Sequence, residues 1–427
     1  MRALFNIKTV CILPLMALCL YSCTTPYEPD INTPRSQSRS SKRGVSFSFA
    51  QFPDIDAALL GPSISWFYNW GNTVIESVDA ALIQSYDVDY CPMVWNGNYN
   101  EANIRAYVAN HPECKYLLGF NEPNLTDQAN MTPEQAAALW PNVKQLADEL
   151  GLKLVSPALN YGTLAGYNDP IKWLDEFIAL VPDNGIEVIA LHCYMGGAGG
   201  MKSFIEKFRK YGKPIWLTEF CPWNGSGESV NSQIAYMSAA LPYLEKDPLV
   251  ERYAWFIPRY YGYPYMALIS EYELSDVGKV FVNMTTMDQK WYALQNQKVE
   301  AEHYTNSNVE ECIGTNNLVQ QVSMRITTDS EGGNLDVVTF TSGKWLEYQF
   351  ELTKDAEYKL EMRHNTLTNS EMQIFIDGEQ ASTISIAATA VNQWTNSEFP
   401  INLTKGKHIV RLVPTSGNIS FNWLRIN

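Results

Sequence analysis

Eight short runs rich in β-branched and aromatic residues follow one another between residues 44 and 257, and helical patterns separate most of them. The runs are Gly44–Phe49, Ile64–Trp70, Asp89–Trp95, Tyr116–Phe120, Lys153–Pro157, Glu187–His192, Pro214–Phe220 and Tyr253–Ile257. Eight strands alternating with helices over about 215 residues predict an α/β fold, a (β/α)8 barrel of the TIM type. An open doubly wound sheet is the alternative, but the G-x-G-x-x-G loop expected after its first strand is missing.

The clearest helix signals lie between Thr132 and Leu150. Thr132 is a favourable N-cap, Pro133 suits the first turn, and Gly151 suits the left-handed residue that follows a helix. The same reasoning predicts three further helices, which are Pro170–Leu180, Met201–Lys210 and Ser229–Leu244.

The pattern changes near residue 298, where strict alternation of apolar and polar residues replaces the helical period. The segments Trp345-Leu-Glu-Tyr-Gln-Phe-Glu-Leu and His408-Ile-Val-Arg-Leu are examples. We therefore expect the barrel to occupy residues 44–297 and an all-β sandwich of the jelly-roll type to occupy residues 298–427.

The first 43 residues are predicted to serve targeting. Arg2 and Lys8 precede an apolar stretch, Val10 to Tyr21, that is too short to span a bilayer. The stretch ends Leu20-Tyr21-Ser22-Cys23, which resembles the lipobox of bacterial lipoproteins. This resemblance implies a signal peptide at 1–22, a lipid on Cys23, and a flexible tether over 23–43. An ordinary signal peptide with an incidental cysteine is the alternative.

Charge and composition narrow the classes of partner. Residues 45–427 carry 25 Lys and Arg against 44 Asp and Glu, a net charge of −19, so binding to nucleic acid is not expected. The sequence holds 12 Trp and 24 Tyr, a stock of rings that suits stacking on sugars as well as core packing. No C-x-x-C pair occurs and the five His are scattered, which disfavours a zinc site. Cys91, Cys193 and Cys221 lie in apolar runs and are expected to be buried thiols, although a Cys91–Cys114 disulfide stays open.

Two carboxylates follow apolar runs at strand ends, where a barrel of this type builds its site. Glu122 follows the fourth strand and Glu219 the seventh, so both are expected to face one shared mouth. A pair of carboxylates between aromatic walls suits hydrolysis of a glycosidic bond. A separation near 5 Å would mean retention and about 6.5–9.5 Å inversion of the anomeric configuration. Capping or rim carboxylates are the alternative interpretation.

The motifs around these residues carry a family resemblance. Leu118-Gly-Phe-Asn-Glu-Pro-Asn124 and Trp216-Leu-Thr-Glu-Phe220 look like the acid/base and nucleophile strands of clan A glycoside hydrolases. With Ser65-Trp-Phe-Tyr-Asn-Trp-Gly71, Leu191-His-Cys-Tyr194 and Tyr253-Ala-Trp-Phe256, the segment from about Lys42 to Ile269 resembles glycoside hydrolase family 128, the endo-β-1,3-glucanases with an Asl1-like catalytic core.

The resemblance implies a retaining mechanism, with Glu122 as acid/base and Glu219 as nucleophile, and no catalytic cofactor. It further implies that Asn121 binds the 2-hydroxyl next to the cleaved bond and that His192 and Tyr194 line the sugar subsites. Trp95 and Trp255 would stack on glucose rings, unless they belong to the barrel core. Weaker candidates for substrate binding are Asn69 or Trp70, and Trp223, which is a rim platform or an apolar latch.

The C-terminal segment resembles carbohydrate-binding module family 6, through Glu300-Ala-Glu302, Gly332-Gly-Asn-Leu-Asp, Asp377-Gly378 and Gly406-Lys-His-Ile-Val-Arg-Leu412. That family often carries a structural calcium near the Glu-x-Glu strand, which here implies a site at Glu302. Its loop site pairs two aromatic residues with an Asn, and these positions fall on Val337, Val391 and Ser420. The loop site is therefore expected to be lost, leaving a sugar site on the sandwich face or a structural role.

Together these inferences predict a secreted, lipid-anchored, endo-acting hydrolase of β-1,3-glucan in the bacterial cell envelope. Its partners would be a β-glucan polysaccharide or oligosaccharide and, through the lipid, a membrane; we expect a monomer. A hydrolase or transglycosylase of another β-glucan with the same glutamates is one rival. A non-catalytic surface lipoprotein that binds glycans is the other, and intact Glu122 and Glu219 count against it.

Overall fold

A computed structural model describes residues 36–223, 228–313 and 322–427. Its first part is an eight-stranded, all-parallel sheet. The strands are β1 (Arg43–Ser46), β2 (Trp66–Tyr68), β3 (Asp89–Tyr90), β4 (Tyr116–Leu118), β5 (Lys153–Val155), β6 (Ile186–Cys193), β7 (Ile215–Phe220) and β8 (Val250–Trp255).

The sheet closes on itself. Its order is β3-β2-β1-β8-β7-β6-β5-β4, and a parallel bridge between Met93 and Leu118 joins the two ends. Each of the eight predicted runs overlaps one of these strands, although β1, β6 and β8 begin before the predicted bounds. The TIM-type barrel is therefore confirmed and the open doubly wound sheet is excluded.

Helices cover the outside of the barrel. They are α1 (Pro53–Leu60), α2 (Glu76–Val78, continued by a π-helical turn over Asp79–Gln84), α3 (Glu101–Asn110), α4 (Pro133–Leu150), α5 (Pro170–Leu180), α6 (Ala198–Phe208), α7 (Val230–Lys246) and α8 (Asp276–Asn283). In α4, Thr132 Oγ1 accepts from the amide of Gln135 and the Gln135 side chain accepts from the amide of Thr132. Gly151 ends that helix at φ +67°, which confirms both predicted boundaries.

An arginine closes the barrel interior at the amino ends of the strands. The guanidinium of Arg252 lies 4.7–5.4 Å from the ring centres of Trp66, Tyr116 and Trp216. It also pairs with Asp89 at 2.5 Å. Rings on several sides and one carboxylate satisfy the charge, so this end of the barrel is a packed floor and the opposite end is left for a site.

The C-terminal part is all-β, as predicted. After a hairpin of β9 (Ile269–Ser270) and β10 (Glu273–Leu274), two six-stranded sheets are built from later strands. These are β11 (Ala293–Leu294), β12 (Val299–Glu300), β13 (Asn306–Ser307), β14 (Ser323–Ile326), β15 (Leu335–Phe340), β16 (Leu346–Leu352), β17 (Ala356–His364), β18 (Ser370–Ile376), β19 (Glu379–Ile386), β20 (Thr395–Leu403), β21 (Gly406–Ser416) and β22 (Ile419–Ile426), with helix α9 at Val309–Cys312.

The two sheets pack face to face over an apolar core. The rings of Tyr348 and Phe421, which come from different sheets, lie 6.4 Å apart. The first strand of these sheets, β11, pairs with β16 and lies before residue 298, where the change of sequence pattern places the domain boundary. Alternation of buried residues toward this core explains why the sequence pattern of the segment has a period of two.

Contacts join the two domains through helix α7 and the segment that leads into β1. Lys246 pairs with Glu310 at 3.0 Å, and the amide of Met324 donates to Ser238 Oγ at 3.0 Å. Gln37 donates to the carbonyl of His303 at 2.9 Å and accepts from the amide of Thr286 at 3.1 Å. Residues 36–43, assigned from the sequence to a flexible tether, are therefore bound at the junction of the domains.

The predicted signal peptide and Cys23 lie outside the described residues. Among the residues that the structure describes, no helix has both the length and the apolar character needed to cross a membrane.

Candidate active site

A cleft of about 660 Å³ opens at the carboxyl ends of the barrel strands. Its lining residues are Trp70, Trp95, Asn121, Glu122, Asp127, Gln128, Asn160, Tyr194, Glu219, Trp223, Phe256, Ile257 and Tyr260. Both predicted carboxylates are among them, and aromatic rings make up much of the wall. A concave site with a few converging polar groups is the usual form of a ligand site.

Glu219, in β7, is held by three hydrogen-bond donors. Its Oε1 accepts from Tyr68 Oη at 2.6 Å and from Trp70 Nε1 at 2.8 Å, and its Oε2 accepts from Tyr194 Oη. The side chain is only 4% exposed, so these donors replace most of the water that a carboxylate would otherwise bind. Three donors hold the two carboxyl oxygens in a fixed orientation.

The two tyrosines remain donors at neutral pH. Burial, followed by the nearby charge of Glu219, raises the pKa of Tyr68 and that of Tyr194 well above 10. Both hydroxyls therefore keep their protons and donate them in hydrogen bonds to the Glu219 carboxylate. The effect is to fix one carboxylate as an acceptor at the base of the cleft.

Glu122 follows β4 in a left-handed backbone conformation. Its φ is +44°, which is uncommon for a residue other than glycine and which neighbouring bonds must impose. Its amide donates to the carbonyl of Ala158 at 3.0 Å, and its carbonyl accepts from the amide of Leu125 at 3.0 Å. This turn brings the carboxyl group of Glu122 into the cleft. The residue as a whole is 6% exposed.

A buried imidazole lies between the two glutamates. His192 Nδ1 is 2.9 Å from Glu122 Oε1 and 3.4 Å from Glu219 Oε2, and the ring is fully buried. Burial alone would lower the pKa of His192, but the charges of Glu219 and Glu122 outweigh it, so the pKa is raised. The geometry brings together carboxylates that are 97 residues apart in the sequence.

Asn121, which precedes Glu122, is also fixed. Its Nδ2 donates to Gln128 Oε1 at 3.0 Å, while its buried Oδ1 has no hydrogen-bond partner among the described residues. Asn121, Tyr194, Trp95 and Trp223 all line the cleft, as the sequence predicts. Their contacts with a substrate stay predictions.

Three predicted substrate-binding residues, His192, Trp255 and Asn69, are not among the lining residues of the cleft. His192 is buried against the two glutamates, and the placements of Trp255 and Asn69 are corrected. Trp255 is fully buried, and its ring packs against Phe220, Tyr236 and Phe281, outside the strands and under helices α7 and α8. Its neighbour Phe256 lines the cleft instead.

The second correction concerns Asn69. Its side chain accepts from Gly71 N at 3.0 Å and Tyr90 Oη at 2.6 Å and donates to Thr73 O at 3.0 Å, so it holds the loop after β2. Trp66, Tyr68 and Trp70 point into the barrel, because alternate residues of a strand share a face. That period of two was the signal that could have selected Tyr68 and Trp70 from the sequence.

Other site residues carried no signal. Tyr260, Asp127 and Gln128 lie on loops after strands, where neither period nor motif marks the side that faces the cleft. Phe256 stands in the motif Tyr253-Ala-Trp-Phe256, but the motif does not tell which of Trp255 and Phe256 faces the cleft.

The cysteines take no part in the site. Cys91, Cys114, Cys193, Cys221 and Cys312 are free thiols in the described chain, and all but Cys114 are buried. Burial raises the pKa of Cys193 to about 12, so this residue, between His192 and Tyr194, is an unreactive core thiol that faces away from the cleft.

The loop positions of the C-terminal domain lack sugar-stacking rings. Val337 is fully buried and Val391 is 73% exposed, while Ser420 carries only a hydroxyl. An aliphatic side chain in the core cannot contact a ligand, so a loop site of the two-aromatic type is not formed.

Oxygen atoms without partners converge near the Glu300–Glu302 strand. Glu302 is fully buried. Among the described residues, neither of its carboxyl oxygens has a hydrogen-bond partner, and the same holds for the buried atoms Glu300 Oε2 and Asn422 Oδ1. A β-carbon at Gly333 would come 2.3 Å from Asn422 Oδ1 and 2.9 Å from Glu300 Oε2, so these oxygens face one small space. Burial raises the pKa of Glu302 well above its usual value.

These oxygens fit a hard cation. The described residues hold no group of three or more His, Cys, Asp or Glu side chains arranged around a metal position. Calcium also accepts amide oxygens, and Asn422 Oδ1 supplies one beside Glu300.

Comparisons with known proteins agree with this geometry. Residues 48–281 match the family model of the glycosyl hydrolase catalytic core, and residues 315–427 match that of carbohydrate binding module family 6. The chain is 27% identical over 261 residues to alkali-sensitive linkage protein 1 of Schizosaccharomyces pombe. That match covers 58% of this chain and 45% of the other, so the chain spans less than half the length of this curated relative.

Two crystal structures resemble the barrel. Both are endo-β-1,3-glucanases of glycoside hydrolase family 128, subgroup II. The enzyme from Pseudomonas viridiflava is 38% identical, with 57% of this chain and 98% of that chain covered at a TM-score of 0.52. The enzyme from Sorangium cellulosum is 36% identical, with 57% and 98% covered at a TM-score of 0.51.

The catalytic-core family model covers more than half of the sequence. In the barrel of this chain, two carboxylates lie in one aromatic cleft. The chain therefore belongs to glycoside hydrolase family 128, is a glycoside hydrolase, and ends in a domain of carbohydrate-binding module family 6.

Proposed function

We propose that the protein is an endo-acting hydrolase of β-1,3-glucan that retains the anomeric configuration. The observation that carries the proposal is the approach of Glu122 and Glu219 to the same nitrogen, Nδ1, of one buried imidazole at the base of the cleft. Both subgroup II enzymes described above are endo-β-1,3-glucanases, which supports the choice of β-1,3-glucan.

The spacing of the carboxylates favours retention. Because both oxygens lie close to His192 Nδ1, at 2.9 and 3.4 Å, they cannot be farther apart than these two distances together. For this pair of oxygens the limit lies just below the separation of about 6.5–9.5 Å between carboxyl groups that leaves room for a water in inverting enzymes, and so on the side of the shorter, retaining arrangement. Direct attack by one carboxylate is then the step that fits.

In the first half of the proposed reaction, Glu219 attacks the anomeric carbon and forms an ester to it. Glu122 gives its proton to the glycosidic oxygen, and the bond from that oxygen to the anomeric carbon breaks. In the second half, Glu122 removes a proton from water as the water oxygen attacks the anomeric carbon. The ester breaks, Glu219 leaves as a carboxylate, and Glu122 is again protonated.

The donors around Glu219 suit the role of nucleophile. Tyr68, Trp70 and Tyr194 hold its two oxygens in a fixed orientation. Glu122 has a different setting, since its Oε1 lies 2.9 Å from His192 Nδ1 and its side chain lines the cleft. Its carboxyl group can therefore meet the glycosidic oxygen, as a general acid must.

The shape of the site suits internal cleavage. The cleft opens at the barrel mouth, and rings such as Trp95 and Trp223 lie among its lining residues beside the carboxylates. A chain of glucose rings can be held on such rings on both sides of the cleaved bond.

Product analysis on defined glucans tests the proposal. We expect laminarin and β-1,3-gluco-oligosaccharides to be cleaved internally, with the β-anomer formed first when the products are followed by proton NMR. Mixed-linkage and β-1,6-linked glucans serve as controls. Initial formation of the α-anomer would contradict retention, and preferential cleavage of a control glucan would contradict the substrate.

We also propose that Cys23 carries a lipid that anchors the protein in the bacterial cell envelope. The support is the sequence Leu20-Tyr21-Ser22-Cys23 after a short apolar stretch. Metabolic labelling with an alkyne fatty acid should mark the wild-type protein and not Cys23→Ser. Equal labelling of both would remove the basis of this proposal.

A structural calcium ion near Glu302 is a further proposal. Glu300, Glu302 and Asn422 would hold it, and its charge would replace the proton that burial otherwise leaves on Glu302. EDTA should then lower the melting temperature of the wild-type protein, with recovery on added Ca²⁺, and Glu300→Gln should respond to neither. A melting temperature that EDTA leaves unchanged would contradict the site.

A further inference from the structure

One wall of the cleft is a continuous row of rings that leads away from Glu219. Tyr194, which donates to Glu219, contacts Trp223 at 5.8 Å between ring centres, and Trp223 contacts Tyr260 at 5.4 Å. Tyr260 is 37% exposed and stacks on Tyr263 at 5.7 Å. We call Trp223, Tyr260 and Tyr263 the outer wall.

Burial of the rings does not by itself fix the outer wall. Tyr260 belongs to the loop between β8 and β9, where its neighbour Tyr261 is 78% exposed. Rings that face water contribute little apolar burial, and a loop of this length needs anchors elsewhere. Besides its ring contacts with Trp223 and Tyr263, Tyr260 is held through the backbone by the residue that precedes it.

Arg259 provides that anchor. Its Nε donates to both carboxyl oxygens of Asp56 at 3.0 Å, its Nη2 donates to Asp56 Oδ1, and its Nη1 donates to the carbonyl of Glu271 at 2.6 Å. The guanidinium also lies 5.1 Å from the ring centre of Phe52. The side chain of Asp56 is fully buried and that of Arg259 is 5% exposed.

The partners tie the loop to two other parts of the barrel. Asp56 belongs to helix α1, and Glu271 lies in the turn between β9 and β10. The amide of Ile269 donates to the carbonyl of Pro258 at 2.9 Å and holds the loop on the other side of Arg259. A bidentate pair fixes both the place and the direction of the guanidinium, and hence the backbone of its neighbour Tyr260.

We propose that Asp56 and Arg259 are positioning residues that set the outer wall for binding extended glucan chains. The inference rests on the proposed function for its substrate class. Neither residue lines the cleft, so each acts through Tyr260 and not on the reacting bond. The pair should therefore govern the binding of sugar rings distant from the cleaved bond and leave the chemical step unchanged.

The test compares Asp56→Asn and Arg259→Lys with Tyr260→Ala, which removes one ring of the wall directly. We expect each to raise KM for laminarin about tenfold, with kcat within about twofold of the wild-type value. The KM for the shortest oligosaccharide that the wild type cleaves should stay unchanged, because such a chain does not reach the wall. Arg259→Lys retains the positive charge but cannot form the bidentate hydrogen bonds to Asp56. It therefore distinguishes the effect of losing those bonds from the effect of losing the charge.

A matched control is Asp247→Asn, which breaks another largely buried Arg–Asp pair, with Arg209, at the amino end of β8. It should lower the melting temperature without changing KM for either substrate. The inference is overturned if Asp56→Asn and Arg259→Lys leave KM for laminarin unchanged, or if KM rises equally for short and long chains. It is also overturned if Tyr260→Ala binds laminarin as the wild type does.

The proposed function is judged separately, by the wild-type rate on laminarin. Retardation in gels that contain laminarin, lichenan or pustulan identifies the polymer that the wild type binds. If that polymer is not laminarin, the substrate proposal fails, and the outer wall is assessed by the retardation of the same variants on the polymer that is bound. Equal retardation of the variants and the wild type would then overturn the inference.

Discussion

Replacement of Glu219 by glutamine should separate activity from stability, because the two respond to the lost charge with opposite signs. Trp70 Nε1 can only donate, so the amide oxygen of the new side chain must take the place of Oε1 and keep the contacts with Trp70 and Tyr68. The amide nitrogen then faces Tyr194, whose hydroxyl can turn to accept. The variant thus has a complete set of hydrogen bonds.

The magnitude follows from those bonds. Hydrogen bonds to a charged group contribute about 1.5–3 kcal/mol and neutral ones about 0.5–1.5, so two bonds on Oε1 weaken by about 2–3 kcal/mol in total. Burying a carboxylate costs several kcal/mol, whereas burying a hydrogen-bonded amide costs less. We expect the free energy of unfolding to stay the same or rise by up to about 2 kcal/mol. An amide cannot form the ester, so kcat should fall at least about 10³-fold.

The assay is the initial rate of release of reducing ends from laminarin, beside thermal unfolding followed by circular dichroism. Glu251→Gln is the matched control, since Glu251 also accepts from an indole, that of Trp216 at 2.7 Å, at the closed end of the barrel. It should keep the wild-type rate. A Glu219→Gln protein with more than a tenth of the wild-type rate would refute the assignment, and a large loss of stability would refute the bonding argument.

Three further results are expected. In Glu122→Ala, added azide should restore turnover of a substrate with a good leaving group and give a β-glycosyl azide, identified by NMR, whereas an α-azide would contradict retention. Trp255→Ala should lower the free energy of unfolding by about 3–5 kcal/mol because the ring is buried, whereas Trp95→Ala should mainly raise KM because the ring lines the cleft. A raised KM without loss of stability in Trp255→Ala, or a large loss of stability with unchanged KM in Trp95→Ala, would contradict these placements. Burial would raise the pKa of Asp329, but hydrogen bonds from Arg363 lower it to about 2, so its stabilising effect is complete above pH 4 and is lost as pH falls toward 2. Asp329→Asn should lose about 2 kcal/mol at pH 7 and show a flatter acid unfolding curve than the wild type.

The sequence was sufficient for the order of elements and for the two carboxylates. Strand and helix patterns are local, and the carboxyl ends of parallel strands meet at one mouth, so Glu122 and Glu219 are brought together by topology alone. The register of each strand was the harder problem. Trp255 and Phe256 are adjacent, and only the three-dimensional pairing of β8 decides that the first faces the helices and the second the cleft.

Contacts between distant segments left no local signal. Arg259 meets Asp56 across 203 residues, and Gln37 meets Thr286 across 249. Polar residues in a Ser-rich stretch are typical of a flexible linker, and only their partners at the domain junction show that residues 36–43 are held in place. The same limit applied to Tyr260, whose loop has no repeating pattern.

The bound segment at residues 36–43 also decides how the enzyme can be mounted. It enters at the amino end of β1, and the cleft opens at the carboxyl ends of the strands, so the two lie on opposite faces of the barrel. A bead, a fusion partner or a lipid attached upstream of residue 36 would hold the molecule by the face opposite the cleft. A long polymer could then approach the open face without meeting the support.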